Sequence, residues 1–146
     1  MILVDINLLL YAVNEDDPHH VAAQTWLEAK LSGEVSVGLS WVIILGFIRL
    51  ATNSKVLPKP LSRADAIARI DDWLTHPCVC IVAPGDRHWA ILKNLLSSAP
   101  PSTNWVSDVH LAALAIERGC DFYSADAGFR KFAGLQWINP LQTQTN

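Results

Sequence analysis

Hydrophobic residues occur in this chain in two patterns. In the first, short runs rich in apolar residues are bounded by polar or turn-forming residues, at positions 1–4, 35–39, 79–82, 121–124 and 135–138. Such runs are typical of strands buried on both faces, because a half-exposed strand would alternate apolar and polar residues. The pattern therefore predicts five short, buried strands.

In the second pattern, apolar residues recur every three or four positions, as on the buried side of a helix. Residues that can cap or start a helix precede most of these stretches: Asp17 and Pro18, Ser40, Ser62 with Asp65, and Ser107. The helix after Ser40 has almost no polar side chain before Arg49, so we expect it to be mostly buried. Gly119 is placed to end the last long helix in the left-handed conformation. The predicted helices cover residues 7–12, 18–31, 41–53, 63–76, 89–98 and 107–118, with a short helical turn at 128–132.

Helices and short buried strands alternate along the whole chain, which predicts an α/β fold. We expect a three-layer α/β/α domain around a mainly parallel sheet, with ligands beyond the carboxyl ends of the strands. Residues 1–140 are expected to form this domain and residues 141–146 a flexible C-terminal tail. A chain of 146 residues that is 51% hydrophobic is long enough to bury a sizeable core.

Composition narrows the class of protein. The apolar runs are far shorter than the roughly 18 residues of a membrane span, and the charged flank of a signal peptide is missing, so a cytoplasmic protein is expected. Cys78, Cys80 and Cys120 have no second ligand pair at zinc spacing, and we expect them to be reduced core residues. A net charge of −3 argues against a general nucleic-acid coat but allows a local basic rim.

Three carboxylates share the same relation to predicted strands and helices. Asp5 ends the first strand, Asp108 lies in the first turn of the helix after Val106, and Asp126 follows the strand at 121–124. In a parallel sheet they can converge on one edge, where their mutual repulsion calls for a divalent ion, and oxygen ligands suit Mg²⁺ or Mn²⁺. Helix capping by Asp5 and Asp108 and a turn at Asp126 are the ordinary alternatives. Their joint placement favours a metal site.

Three segments of the chain resemble those of a known family. The segments MILVDINLLLYA, WVIILGFIRLATN and NWVSDVHLAALAIERGCDFYSADAGFRKFAGLQWINP are similar to those of PIN-domain ribonucleases, specifically the toxins of VapBC-type toxin–antitoxin pairs. The last segment is the most specific, because Asp108, the Ala-rich helix, Gly119 and the Ser-x-Asp-x-x-Phe motif of residues 124–129 occur together in family order. The resemblance spans nearly the whole chain.

The resemblance implies a PIN-like fold and a magnesium-dependent endoribonuclease that a cognate antitoxin holds inactive. Asp5 and Asp108 would be metal ligands, and Asp126 would complete the catalytic site. Family members cut structured RNA, such as transfer RNA or a ribosomal loop, and leave a 5′-phosphate and a 3′-hydroxyl. In-line attack by metal-activated water fits these products. Family likeness and the apolar helices also indicate a homodimer.

The chain departs from the family at one position. Many members carry a glutamate in the central helix, where Gly46 and its neighbours stand here, and WVIILGFIRLATN contains no acid. Asp5, Asp108 and Asp126 would then hold the metal weakly, with Asn7 or Ser107 as neutral helpers. The alternative function is therefore a PIN-like module that binds RNA or antitoxin without cleavage.

Cationic and aromatic residues offer candidate contact surfaces. The cations that could offset RNA phosphates are Arg49, Lys55, Arg130 and Lys131, although each could equally be an ordinary solvated charge. The tryptophans at helical spacing among aliphatic residues are Trp26, Trp73 and Trp89. This spacing favours core positions over base stacking, with a groove for an antitoxin helix as the alternative. The histidines show no zinc spacing, and His110 points away from Asp108 on its helix.

Two other classes with an acid after the first strand fit less well. A phosphatase of the haloacid dehalogenase type needs a second aspartate two residues later, where Asn7 stands. A receiver domain needs an acceptor aspartate after a middle strand and a lysine after the last strand. Residues 79–83 and 135–140 supply neither.

Overall fold

The computed structural model describes residues 1–98 and 105–142. Within them, five strands form one sheet in the order β3-β2-β1-β4-β5, and every pairing is parallel. The strands are Ile2–Val4 (β1), Val37–Leu39 (β2), Val79–Ile81 (β3), Asp121–Tyr123 (β4) and Trp137–Ile138 (β5). The predicted α/β class with a parallel sheet is confirmed.

Six helices among the described residues connect these strands. They are Ile6–Val13 (α1), His20–Leu31 (α2), Trp41–Ala51 (α3), Arg63–Thr75 (α4), His88–Ser98 (α5) and Val106–Arg118 (α6), and a short 3₁₀ helix spans Ala127–Lys131. From β1 the chain moves outward through β2 to β3 and then returns to β4 on the other side of β1. Because such crossovers are right-handed, α1 to α4 cover one face of the sheet, and α5 with α6 cover the other. The reversal between β1 and β4 is where ligands bind in folds of this kind.

The core surrounds the central strand β1 and includes residues of α1, α3, α4 and β4. All three residues of β1 are buried, as are Leu8, Leu9 and Phe122. On the α3 side, Phe47 is fully buried and its ring meets Trp73 of α4 edge to face, with centroids 4.9 Å apart. The continuous apolar runs therefore form buried strands where helices cover both faces of the sheet.

Burial at the sheet edge and on the outer helices differs from the predictions. Strand β3 is half-buried to exposed because it is an edge strand, and Cys80 is exposed there, so the expectations of a buried strand and a core cysteine were wrong for this segment. Helix α3 packs on α1 and α4 but leaves Trp41 and Leu45 57% and 62% exposed, so it is not mostly buried. Trp89 on α5 is 63% exposed and is not a core residue.

Local capping signals were correct where the polar side chain reaches the helix. Ser40 Oγ accepts a hydrogen bond from Ile43 N, and Ser62 Oγ accepts one from Asp65 N. Gly119 has a φ of 63°, the left-handed conformation expected at the end of α6.

Two predicted helix starts were wrong. Asp17 and Pro18 lie in the turn that precedes α2, where Asp17 Oδ1 accepts from His19 N, and the helix begins only at His20. Helix α6 begins at Val106, so Ser107 lies inside its first turn and does not cap it.

Some predictions fall on residues that the structure does not describe. The break at Pro100 and Pro101 lies outside the described residues, and so do residues 143–146 of the predicted tail. Leu141 packs against the core, and the domain boundary at residue 140 stays a prediction. Among the described residues, no helix combines the length and the hydropathy that crossing a membrane requires.

Replacing Phe47 by alanine should lower the free energy of unfolding by about 3–5 kcal/mol, because a fully buried aromatic ring and its contact with Trp73 are lost. Urea unfolding at equilibrium measures the change. Leu45→Ala is the matched control on the same helix, since that side chain is 62% exposed and its loss should change stability by only about 0.5 kcal/mol. Equal losses for the two variants would contradict the described packing of α3.

Candidate active site

Asp5 lies between the carboxyl end of β1 and the start of α1. Its side chain is 7% exposed, and Oδ1 accepts a hydrogen bond from Ile6 N at 2.8 Å, so Asp5 caps α1 as the ordinary alternative suggested. Capping by this contact uses only one carboxylate oxygen. The role of Asp5 therefore depends on what the second oxygen, Oδ2, contacts.

The second oxygen of Asp5 contacts the fully buried side chain of Ser124. Ser124 Oγ donates to Asp5 Oδ2 at 2.6 Å, and it accepts from Asn7 Nδ2 at 3.1 Å and from Asp126 N at 3.0 Å. Asn7 Nδ2 also donates to Asp5 Oδ2 at 3.1 Å, and Asn7 Oδ1 accepts from Ala125 N at 3.2 Å. These bonds join the ends of β1 and β4 into one polar cluster.

The backbone of Ser124 is fixed from the side of β5. Its N–H donates to the carbonyl of Ile138 at 3.0 Å, and its carbonyl accepts from Trp137 Nε1 at 3.1 Å. The Ser124 hydroxyl was not among the predicted site residues, which named Asn7 and Ser107 as neutral helpers. Asn7 does contact Asp5, whereas Ser107 is exposed on α6. The spacing of two residues between Ser124 and Asp126 was the available signal.

The other two carboxylates approach the same edge of the sheet from different elements. Asp126 caps the 3₁₀ helix, with Oδ1 accepting from Gly128 N at 2.8 Å, so it fills the predicted turn role. Asp108 lies half-buried in the first turn of α6, where Trp105 is the cap residue. Asp108 is therefore not the N-cap residue of α6.

Burial and neighbouring charge both act on Asp5. Burial raises the pKa of this carboxyl from 3.8 to about 6, against the hydrogen bonds from Ser124 and Ile6 that favour the charged form. The charges of Asp108 and Asp126 make a smaller contribution to the same increase in the pKa of Asp5. Asp5 is thus a buried acid in an electrostatically negative environment.

Asp108 experiences the same environment. Burial raises its pKa, the charge of Asp126 raises it further, and the ammonium group of Lys131 lowers it. The three predicted acids therefore lie within electrostatic range of one another. As placed, however, the described part of the chain contains no group of three acidic, histidine or cysteine side chains close enough to hold an ion.

The chemistry of these donors suits a hard divalent cation. Carboxylate oxygens are the ligands that Mg²⁺ and Mn²⁺ prefer, and a cation would relieve the repulsion that raises the pKa values of Asp5 and Asp108. Among the described contacts, Asp5 Oδ1 accepts one hydrogen bond, from Ile6 N, which leaves its second lone pair for an ion. The donor set fits a metal that also binds phosphate.

Comparison with known proteins agrees with this architecture. A family model for the PIN domain matches residues 2–135. Ribonuclease VapC37 of Mycobacterium tuberculosis is 44% identical over 140 residues, which cover 96% of this chain and 97% of that protein. Ribonuclease VapC33 of the same species is 41% identical over 142 residues, or 97% and 99% of the two chains. The chain belongs to the PIN-domain family. PIN-domain ribonucleases generally depend on a divalent metal.

Solved PIN-domain structures have the same fold. The VapBC2 complex of Rickettsia felis bound to promoter DNA includes a chain with a TM-score of 0.71 at 16% identity, covering 95% of this chain and 98% of that one. The sarcin-ricin loop cleaving toxin VapC20 of Mycobacterium tuberculosis gives 0.67 at 19% identity, covering 93% and 98%. At these identities the likeness shows the fold alone, and it confirms the predicted PIN-like architecture.

Gly46 of α3 stands where many PIN domains were expected to carry a glutamate. It is buried, and a Cβ at this position would lie 2.5 Å from Cδ1 of Ile6, the residue after Asp5. The tip of the Ile6 side chain therefore fills the space through which an acid on α3 would leave the helix. Gly46 and Ile6 therefore pack together: the Ile6 side chain occupies its position because residue 46 has no side chain.

Cations are distributed unevenly around this PIN-domain edge. Lys131 acts on Asp108, and the Arg130 guanidinium lies 4.8 Å from the centre of the Trp137 ring. Arg49 and Lys55 are exposed at the far end of α3 and in the loop beyond it. Since α3 starts at the carboxyl end of β2, both lie toward the opposite side of the sheet. Arg130 and Lys131 are the better candidates for contacts with phosphate.

His110 takes no part in the acid cluster. Its Nδ1 lies 2.9 Å from Nε2 of His88 on α5, and His88 Nδ1 lies 3.4 Å from a carboxylate oxygen of Glu117. Glu117 in turn accepts from the backbone N–H groups of Gly85 and Arg87. This chain of contacts fixes α5 against α6.

Asp5→Asn should stabilise the metal-free protein at neutral pH. The folded pKa of about 6 exceeds the ordinary 3.8, so stability attributable to this carboxyl is present below about pH 4 and is lost as the pH rises through 6. The amide cannot ionise, so the variant should be more stable than wild type by about 3 kcal/mol near pH 7.5 and by only about 0.5 kcal/mol near pH 4. Urea unfolding in EDTA at both pH values measures this difference.

Asp86→Asn is the matched control, because Asp86 is an exposed carboxyl on a turn. It should leave the stability unchanged at both pH values. A loss of stability in Asp5→Asn at pH 7.5 would mean that helix capping outweighs the burial of charge.

The paired change Ile6→Ala with Gly46→Glu should strengthen metal binding about tenfold, because it adds a carboxylate beside Asp5 and removes the methyl group that would obstruct it. Calorimetric titration with Mn²⁺ measures the affinity directly. Gly46→Glu alone should bind Mn²⁺ less tightly than the pair, because the new side chain must displace the flexible tip of Ile6. Ile6→Ala alone is the control, and an unchanged Mn²⁺ affinity in the pair would show that residue 46 does not face the acids.

Proposed function

We propose that this chain is an endoribonuclease toxin that cuts structured RNA, such as a transfer RNA or a ribosomal RNA loop, and is neutralised by a cognate antitoxin. Its relatives VapC37 and VapC33 are named ribonucleases, and one structural neighbour is a sarcin-ricin loop cleaving toxin. Several neighbours are chains of toxin–antitoxin complexes. The proposal places the activity in the cytoplasm, where such RNA is found.

The observation that carries this proposal is the buried carboxylate of Asp5. Fixed hydrogen bonds hold an acid whose pKa is raised to about 6, and two more acids lie in electrostatic range. A fold that needed only a helix cap could use an uncharged side chain and avoid the cost of burying a charge. Perturbed acids at the switch point of a parallel sheet mark a functional site.

The catalytic residues in this proposal are Asp5, Asp108 and Asp126, which would also hold the divalent cation. Mg²⁺ is the expected ion, with Mn²⁺ as an alternative, because both prefer carboxylate oxygens and bind phosphate esters. When bound, such an ion supplies neutralisation of phosphate charge and a lowered pKa for water. Asp126 is exposed and Asp108 is half-buried, so both side chains have room to change rotamer.

The remaining residues of the site orient these acids and the RNA. Ser124 and Asn7 hold Asp5 Oδ2 in one position, so this carboxylate meets the substrate without first being ordered. Arg130 and Lys131 offer positive charge to the phosphates on either side of the cut. Water would attack phosphorus in line with the bond to the 3′ oxygen, that bond would break, and the 3′ oxygen would take a proton. The products are a 5′-phosphate and a 3′-hydroxyl.

A second candidate function is an RNA- or antitoxin-binding module that does not cut. Gly46 and Ile6 favour it, because they remove one acid from the expected site. In the described residues the three remaining acids are also not placed closely enough to hold an ion as they stand. The nuclease is preferred because Asp5 is a buried acid with a raised pKa, for which a binding module has no use.

The antitoxin has a candidate groove on the helical face opposite α5 and α6. A cavity of about 140 Å³ lies between α1, α2 and α4, and its lining includes Leu27, Leu31 and Trp73 with Arg69 and Asp72 at the side. The lining mixes apolar side chains with polar and charged ones, which suits an amphipathic antitoxin helix. The exposed Trp41 and Leu45 of α3 are candidate contacts for the expected homodimer.

Asp108→Asn should lower the rate of RNA cleavage by about a hundredfold or more, because one of three metal-binding charges is lost. Purified toxin is incubated with total RNA in Mg²⁺ or Mn²⁺, and new 5′ ends are mapped by sequencing. EDTA should abolish cleavage and added metal should restore it. Asp121→Asn is the matched control, since Asp121 is an exposed carboxyl at the opposite end of β4.

Cleavage that persists in EDTA or in Asp108→Asn would refute the proposed site. RNA binding without cutting in either metal would favour the non-cutting module.

A further inference from the structure

Tyr11 and His19 form a stacked pair at the end of α1. Their ring centroids are 4.8 Å apart and the planes are inclined by 23°. The Tyr11 ring is half-buried, whereas the His19 side chain is 54% exposed. One flat ring therefore lies on another, and the outer one is open to solvent.

The outer ring is held in place. Asp17 Oδ1 accepts from both His19 N at 2.8 Å and His19 Nδ1 at 2.9 Å. The next residue, His20, places its Nδ1 2.8 Å from the carbonyl of Tyr11. The turn before α2 is thus attached to α1 at the position of the stacked pair, and the His19 ring is fixed before anything binds to it.

The stacked pair borders the acid cluster. Tyr11 follows Asn7 by four residues and so lies on the same face of α1, just over one turn or about 6 Å further along. Asn7 itself contacts Asp5 and Ser124. Burial raises the pKa of the Tyr11 hydroxyl, and the carboxylates of Asp17, Asp126 and Asp5 raise it further, as expected for a ring at the edge of an acidic site.

We propose that the exposed face of His19, supported by Tyr11, is a subsite on which one base of the RNA stacks beside the phosphate that is cut. This inference deepens the proposed ribonuclease function and rests on it. Proteins recognise RNA through unpaired bases that stack on aromatic and histidine rings, and such stacking tolerates any base. The proposed ligand class is therefore an unpaired nucleotide of a loop or bulge.

The local charge favours a base over other parts of the RNA. The Asp17 carboxylate lies directly beside the His19 ring, where it would repel a phosphate. An uncharged flat base meets no such opposition. The phosphates would then contact Lys131 and Arg130, and the base would contact His19, so the base and the backbone of the RNA bind at separate places.

Binding of single-stranded RNA in EDTA tests the subsite without cleavage. The probe is a short RNA of mixed sequence that carries the fluorescent base 2-aminopurine, and a second RNA has an abasic site in its place. We expect fluorescence quenching on binding, and about tenfold weaker binding of wild type to the abasic RNA. His19→Ala should bind the intact RNA about tenfold more weakly and lose the quenching, whereas His19→Tyr should retain both.

His76→Ala is the matched control, because this half-buried histidine follows α4 at the opposite end of the sheet and should bind like wild type. Wild-type binding and quenching in His19→Ala would overturn the subsite, and so would equal affinity of wild type for intact and abasic RNA. This last comparison needs no variant, so it can overturn the subsite even if His19→Ala does not fold.

The subsite and the catalytic proposal can fail separately. If quenching is lost only in His19→Ala and cleavage of total RNA survives Asp108→Asn, the stacking site stands and the acid site falls. If cleavage depends on Asp108 but His19→Ala binds RNA like wild type, the acid site is supported and the stacking site is refuted.

Discussion

The hydrogen bond from the Ser124 hydroxyl to the Asp5 carboxylate is the contact on which the site depends. It joins the ends of two neighbouring strands at a distance of 2.6 Å, and the same hydroxyl accepts from Asn7 and from the backbone of Asp126. A buried charge without such partners would cost several kcal/mol. One serine therefore makes the acid tolerable, sets its direction and anchors the loop that carries another acid.

Much of this arrangement could be predicted because it follows from local rules. A continuous apolar run followed by an acid indicated that Asp5 ends a buried strand, and Ser40 and Ser62 act on donors only three residues away. The parallel sheet then implied that Asp108 and Asp126 approach the same edge. These inferences require only sequence order and the geometry of a regular fold.

Other features depend on which helices and strands lie next to each other in the fold. The pattern of hydrophobic and polar residues along the chain does not contain this information. The exposure of Cys80 follows from the position of β3 at the sheet edge, and the exposure of Trp89 follows from the outer face of α5. Ser124 could not be distinguished from Ser107 by residue type, since both lie close to a site acid in sequence. Only the pairing of β4 with β1 places one hydroxyl against Asp5 and leaves the other in solvent.

The separation of 119 residues between Ser124 and Asp5 has a consequence for the cell that makes this chain. Translation delivers the amino-terminal strand first, and that strand must wait for nearly the whole domain before its acid acquires a serine partner. Until β4 has been synthesised, a nascent chain therefore lacks the assembled acid cluster. In the proposed ribonuclease, the order of synthesis would keep the acid site incomplete while the amino-terminal part of the chain is being made.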